Sequence, residues 1–330
     1  MKRRSILKVC GGSVVGVALV ASAQTRRQVA RLGVLGNLAP TMDARASAAQ
    51  GALVDGLKAR GWEVGRNLVI EWRYANNDLG LYRKHAAELI AAKVDAIFAP
   101  GDDAVAAAYE ATRTIPIVMM GIAAVEAGYA KSMARPGGNV TGVVYLALDF
   151  IGKELDLMRA VRPDLRRVGL CAGPPNPALN EVATRLWRAT AEGQHVSVAL
   201  LPDIRSLDDI DPMLLAARNE NIQTLLIGVR PFLLGAGWRR IREWAVDRRV
   251  ATQSGLWARG EVLVAFGPAV DELRSTAYRQ IDDVLRGGNP AEMPIEQPSR
   301  FELIVSLKIA KGLGLTIPKQ LLLSATEVLD

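Results

Sequence analysis

Residues Val94 to Gly121 read VDAIFAPGDDAVAAAYEATRTIPIVMMG, and the fold is decided in this stretch. Val94–Ala99 is a short, nearly continuous apolar run of strand length, and Ile115–Met120 is another. Between them Ala104–Thr112 is alanine-rich with apolar positions at helical spacing, and Pro100-Gly101 breaks the chain before it. A helix between two strands crosses over one face of a sheet and leaves the strands parallel. Working outward, the same alternation recurs. Upstream it gives strand Arg31–Gly36, helix Ala46–Arg60 with Ala49, Leu53 and Leu57 on one face, and strand Leu68–Tyr74. Helix Leu81–Lys93 follows, with Tyr82, Ala86, Leu89 and Ile90 on its apolar stripe. Downstream it gives helix Ile151–Val161, strand Arg167–Ala172 and a helix carrying Leu179, Val182, Leu186 and Ala189. Then come strand Val196–Leu201, a helix around Pro212–Glu220 and strand Thr224–Val229. Two more helices run through Trp238, Ile241 and Ala245, and through Val270, Leu273, Ala277 and Ile281. Two rounds, roughly 29–146 and 147–267, predict an α/β protein of two doubly wound, Rossmann-like lobes. Ligands of such sheets sit outside the carboxyl ends of the strands, so the expected site is the cleft between the lobes.

The 330 residues, half of them hydrophobic and 23% charged, have a globular composition and enough length for two domains. Four of the seven excess positive charges are Lys2, Arg3, Arg4 and Lys8. The remaining arginines are interspersed with acids, and no basic face or reader motif points to DNA or RNA. The N-terminus resembles a twin-arginine export signal: a basic Lys2-Arg3-Arg4-Ser5-Ile6-Leu7-Lys8 start, then no charge from Val9 to Thr25. Ala21-Ser22-Ala23 is a small-x-small cleavage site, so residues 1–23 are expected to be removed and the mature chain to be periplasmic. Cys10 stands too early for a lipid-anchor site, and Cys171, in an apolar strand pattern, is expected to be a small core residue.

Four blocks resemble one family. They are Gly61–Ala75 (GWEVGRNLVIEWRYA), Thr114–Gly121 (TIPIVMMG), Ala134–Gly142 (ARPGGNVTG, between a helix and a strand) and Phe301–Pro318 (FELIVSLKIAKGLGLTIP). Their order and spacing resemble the periplasmic substrate-binding proteins of ABC importers, in the branch that includes tryptophan and tyrosine binders. That resemblance implies a type I periplasmic-binding fold, two α/β lobes joined by a hinge and closing on a small solute. It places lobe one at 29–146 plus about 268–295, and lobe two at 147–267 plus about 296–330. Hinge segments are then expected near residues 145 and 267, with a further crossing around 290–305. The implied partners are a small-molecule solute and an ABC permease and ATPase complex; a monomer without cofactor is expected.

The chain departs from the family pattern at strand carboxyl ends, where ligand contacts belong. Gly121-Ile122-Ala123-Ala124 lacks the usual acid, Arg230 precedes Pro231-Phe232 in place of an Asp, and Gly255-Leu256-Trp257 replaces Arg-Glu-Phe. Pro100-Gly101-Asp102-Asp103 stands where the first-lobe loop is usually small and hydroxylated. The scaffold therefore carries over and the ligand does not. The candidate ligand-binding residues are Asn37, Tyr74, Gly101, Asp102, Asp103, Gly121, Asn176, Arg230 and Trp257. Asp102 and Asp103 open a helix, where carboxylates also serve as caps. Arg230 suits a carboxylate through its planar fork, and Trp257 suits stacking on a ligand or packing between lobes. Tyr74 fits packing as well, and Asn176 lies in the rigid turn Pro174-Pro175-Asn176-Pro177.

Catalytic chemistry has little to stand on. His85 and His195 have no metal-ligand spacing to each other or to Cys171. Neither a glycine-rich phosphate loop nor a Gly-x-Ser-x-Gly elbow occurs, and Asp208-Asp209 and Asp282-Asp283 read as solvated helical faces. A binding protein is expected rather than an enzyme. The competing readings are a sensor that presents its closed form to a membrane receptor, and an exported enzyme on the same fold.

Overall fold

A computed structural model describes residues 29–39, 44–76, 78–145, 150–171, 177–228, 233 and 235–330. The export signal and its cleavage site, Asn176 and Arg230 lie outside these residues.

The first sheet is built from Ala30–Gly36 (β1), Leu68–Tyr74 (β2), Ala96–Pro100 (β3), Ile117–Gly121 (β4) and Val140–Val144 (β5). All its pairings are parallel, in the order β2-β1-β3-β4-β5. Strand side chains alternate between faces, so β3 sends Ile97 and Ala99 one way and Ala96 and Phe98 the other. Helices Leu79–Ala91 (α2) and Asp102–Ala111 (α3) cover the first of these faces. The second is covered by Ala44–Lys58 (α1) and by Val270–Leu285 (α8), which returns from far along the chain. A buried hydrogen bond fixes that return: Thr141 of β5 donates to the Gln280 side chain of α8 at 2.8 Å.

The second sheet takes Arg167–Cys171 (β6), Ser197–Leu200 (β7), Thr224–Ile227 (β8), Ala251–Ser254 (β9) and Val264–Pro268 (β10). Its order is β12-β11-β10-β9-β8-β6-β7. From β7 to β10 this repeats the winding of the first sheet. Phe301–Ser306 (β11) adds antiparallel to β10, and Glu327–Leu329 (β12) adds parallel to β11. Ile151–Val161 (α4), Pro177–Gly193 (α5), Leu307–Leu313 (α9) and Lys319–Ser324 (α10) pack on one face, Ile210–Asn219 (α6) and Ala236–Arg248 (α7) on the other. The chain is thus the expected pair of doubly wound α/β lobes.

Three segments run between the sheets: one after β5, one between β10 and α8, and one that leads into β11. The last first lies beside β5, where Glu296 N–H donates to the Gly142 carbonyl and Val144 N–H to the Glu296 carbonyl, both at 2.9 Å. Three phenylalanines meet at the lobe-two ends of these segments: Phe150 before α4, Phe266 in β10 and Phe301 at the start of β11. The ring of Phe150 is 4.1 Å from that of Phe301, and Phe266 is 6.0 Å from both.

Several expectations need correction. Helix α2 begins at Leu79 rather than Leu81, because Asp78 caps it by accepting the Gly80 and Leu81 N–H groups. No helix precedes Gly137: residues 122–139 form turns, with Gly128 and Gly137 at positive φ. Asp209 and Asp282 are not simply solvated. Asp209 forms a capping box with Ser206, and Asp282 accepts the Trp62 indole N–H at 2.7 Å. Cys171 is buried in the core, as expected.

Candidate functional site

In a sheet of order 2-1-3 the chain winds in opposite directions from its two middle strands, and a crevice opens outside their carboxyl ends. In lobe one those strands are β1 and β3. Asn37 follows β1 and Gly101 follows β3, so the structure brings these two candidates to the switch point. In lobe two the equivalent strands are β6 and β8, followed by 172–176 and 229–232. These segments hold Asn176 and Arg230 and lie outside the described residues.

The first-lobe rim is a set of loops tied to one another. Asn37 accepts the Asn76 N–H on its backbone carbonyl at 2.7 Å, joining the exits of β1 and β2. Gly101 takes the N-cap position of α3 at φ +125°, a conformation that favours glycine. Asp102 reaches beyond its own helix: its Oδ1 accepts the Ile122 N–H at 2.9 Å, binding the exit of β3 to that of β4. Gly121 makes this approach possible, since a Cβ there would lie 2.9 Å from Asp102 Oδ1. The Asp103 charge is felt at Tyr82 of α2. Burial, reinforced by the Asp103 charge, pushes the Tyr82 phenol well above its ordinary range. Asp102 therefore helps to build the rim, through a route that helix-start reasoning did not foresee.

Tyr74 ends β2 with its ring stacked on Trp72 and pressed over Gly36, where a Cβ would meet the Tyr74 ring at 2.9 Å. Its hydroxyl is buried without a hydrogen-bond partner among the described residues, and burial raises its pKa. A buried phenol at a strand carboxyl end with its hydrogen bonds unmade is a group awaiting a partner.

Trp257 sits in the 3-10 turn Leu256–Ala258 after β9. It joins Leu256, Arg259, Val270 and Leu329 around a groove of about 380 Å³. Arg259 is held by Glu327. The Arg274 guanidinium of α8 lies 5.7 Å from the centre of the Trp257 ring. Because α8 packs on the first sheet, this contact joins the two lobes, and Arg274 forms no ion pair among the described residues. Sequence reasoning missed Arg274. It lies on a helix that the resemblance had already assigned to lobe one, but no local pattern pairs it with Trp257. Among the described residues no group of His, Cys, Asp and Glu could hold a metal ion.

Comparison with known proteins agrees with this geometry. Residues 40–329 match the model of a family described as ABC transporter substrate binding protein. A tyrosine-binding protein of Clostridioides difficile is 35% identical over 124 residues, which is 37% of this chain and 35% of that relative's length. A domain from Streptococcus pneumoniae, solved in complex with L-Trp, superposes with a TM-score of 0.80 at 21% identity. That match covers 91% of this chain and all of the other. The ligand-free, open structure of a Clostridium difficile substrate-binding protein with adhesive properties gives 0.64 at 21% identity, covering 92% and 99%. At these identities the two structures establish the fold.

Proposed function

The chain belongs to the ABC transporter substrate-binding protein family, and from that premise we propose that it captures a small organic solute, amino-acid-like or carboxylate-bearing, between its lobes. The family binds substrates rather than transforming them. The observation that carries the reading is the family match over 40–329, combined with two identically wound sheets whose switch points both carry candidate polar residues. The stretch shared with a tyrosine-binding protein supports an amino-acid-like solute. On this reading lobe one is 29–146 plus about 268–295, lobe two is 147–267 plus about 296–330, and the three connecting segments are the hinge. Arg230 takes a carboxylate of the solute, and Asn176 and Trp257 are further candidate contacts. The loaded protein delivers its solute to a membrane permease and ATPase. The basic, then uncharged, N-terminus supports export and removal of residues 1–23, which places the mature monomer in the periplasm.

Thermal-shift screening of the mature protein against amino acids and small organic acids tests this, because a ligand that binds only the folded form raises its melting temperature. A saturable rise with such a solute is expected. A flat response across both classes counts against solute capture.

A further inference from the structure

Helix α4 precedes β6 in a parallel sheet, so its first turn lies at the end where the strands deliver their carboxyl termini. Glu154 occupies that turn, and Gln253 occupies the next-to-last position of β9. Gln253 stands in register with Leu226 and Val264, on the face that packs against Ile151 and Leu155 of α4. The residue is 1% exposed; its side-chain carbonyl oxygen is buried without a hydrogen-bond partner among the described residues, and its amide N–H lies beside the Glu154 carboxyl. Glu154 keeps part of its surface open while its carboxyl is enclosed. Burial pushes that carboxyl up to about 8, and the nearby Gln253 amide offsets only part of the effect. Among the described residues no positive charge assists. Asp156 and Arg159 of α4 are both bonded to Gln194, Lys153 is exposed, and the strands beside Gln253 present Leu226 and Val264.

An unsatisfied amide carbonyl beside an ionisable carboxyl, with no counter-charge among the described residues, lacks one thing: a group with several N–H donors and a positive charge. We propose that Glu154 and Gln253 form a lobe-two subsite for the protonated amine of the bound solute. The ammonium donates to the Glu154 carboxylate and to the Gln253 carbonyl oxygen. Charge-assisted bonds of this kind are the strong ones. Carboxylate recognition elsewhere in the cleft is compatible with it, so a zwitterion would be held at both ends. The inference rests on the reading that this chain captures a small solute, and it names the chemistry of one end of that solute.

The test is calorimetric titration of the wild type, Glu154→Gln and Gln253→Leu with L-tyrosine, L-tryptophan, tyramine and 3-(4-hydroxyphenyl)propionate, at about pH 6 and about pH 8. The amines are expected to bind, more tightly at the higher pH, with proton release at the lower. Glu154→Gln should weaken them roughly tenfold or more and abolish the pH dependence. Glu154→Gln is nearly isosteric and removes an ionisable group from an enclosed position, so it should fold. Its melting curve verifies this. Amine affinities within twofold of wild type in both variants overturn the subsite and leave solute capture standing. In that case a change in melting temperature alone marks a structural pair around a water. Binding of the amine-free acid alone overturns it likewise. If none of the four binds, the amine subsite falls. Solute capture falls with it only if the broad thermal-shift screen is also flat.

Discussion

The Asp102 carboxylate accepts the Ile122 backbone N–H at 2.9 Å, and this bond joins the two loops that leave β3 and β4. A backbone N–H deprived of its charged partner costs about 1–3 kcal/mol when it cannot reach water. Asp102→Ala is expected to lower stability by that amount, and Asp102→Asn, which keeps an acceptor, by less. Urea unfolding of the three proteins measures both. Equal losses for Ala and Asn would show that the charge, not the acceptor, matters.

Two glycines should respond in opposite directions to the same substitution. Gly142 of β5 has φ +140°, and a Cβ there would lie 2.1 Å from the Met119 carbonyl oxygen of the neighbouring strand. Backbone cannot yield as a side chain can, so Gly142→Ala should cost more than ~4 kcal/mol or prevent folding. Gly51 lies exposed in α1, and a methyl group added there would meet nothing within 4 Å. At that position Gly51→Ala should stabilise by about 0.5–1 kcal/mol through helix propensity. Soluble yield and unfolding midpoints separate the two.

The Glu154 carboxyl gives stability a defined pH dependence. Its folded value of about 8 lies far above an unfolded glutamate's ~4.3. Between those values the folded state holds the proton that the unfolded state has released. Stability therefore falls as pH rises through the window, by up to ~1.4 kcal/mol per unit. The difference in unfolding free energy between wild type and Glu154→Gln isolates this group from the others. It should shrink or reverse from about pH 5 to about pH 8, and a constant difference would place the carboxyl in ordinary solvent.

Trp257 and Arg274 come from different lobes, and their contact should couple lobe to lobe. A double-mutant cycle with Trp257→Ala and Arg274→Ala is expected to give a coupling of about 0.5–1 kcal/mol in thermal unfolding. Additive single effects would mean that the two side chains are neighbours without a mutual interaction.

Arg230→Ala tests the carboxylate end of the proposed solute. Losing one charge-assisted contact should cost roughly 1.5–3 kcal/mol, or about 10- to 150-fold in affinity, with little change in melting temperature. Titration within twofold of wild type for every carboxylate ligand would reduce Arg230 to a surface group.

Much of the lobe architecture was legible because it follows from local periodicity. Strand Leu68–Tyr74 matched its expected limits, and α4 was placed at Ile151–Val161. Limits failed where a polar side chain sets them. Asp78 starts α2 two residues early, and no apolar pattern announces that. The stretch before Gly137 failed for the complementary reason: its apolar residues, Ala124 and Tyr129 among them, bury themselves from turns. At the candidate site, position along the chain was enough to bring Asn37 and Gly101 to strand ends. The direction of Asp102 and Asp103 was not readable, since a helix-start carboxylate can face its own N–H groups, a neighbouring loop or the core.

Residue order alone was enough to set the repeated α/β winding, the strand ends where a ligand belongs and the family to which the chain is similar. These depend on spacing between near neighbours, which the order of residues contains. Two facts came from tertiary packing and nowhere else: Trp257 meets Arg274, and Glu154 is enclosed beside the Gln253 side chain. Those facts join residues far apart in the chain. What joins them is the burial of whole helix and sheet faces, a free energy summed over many side chains that no local pattern records.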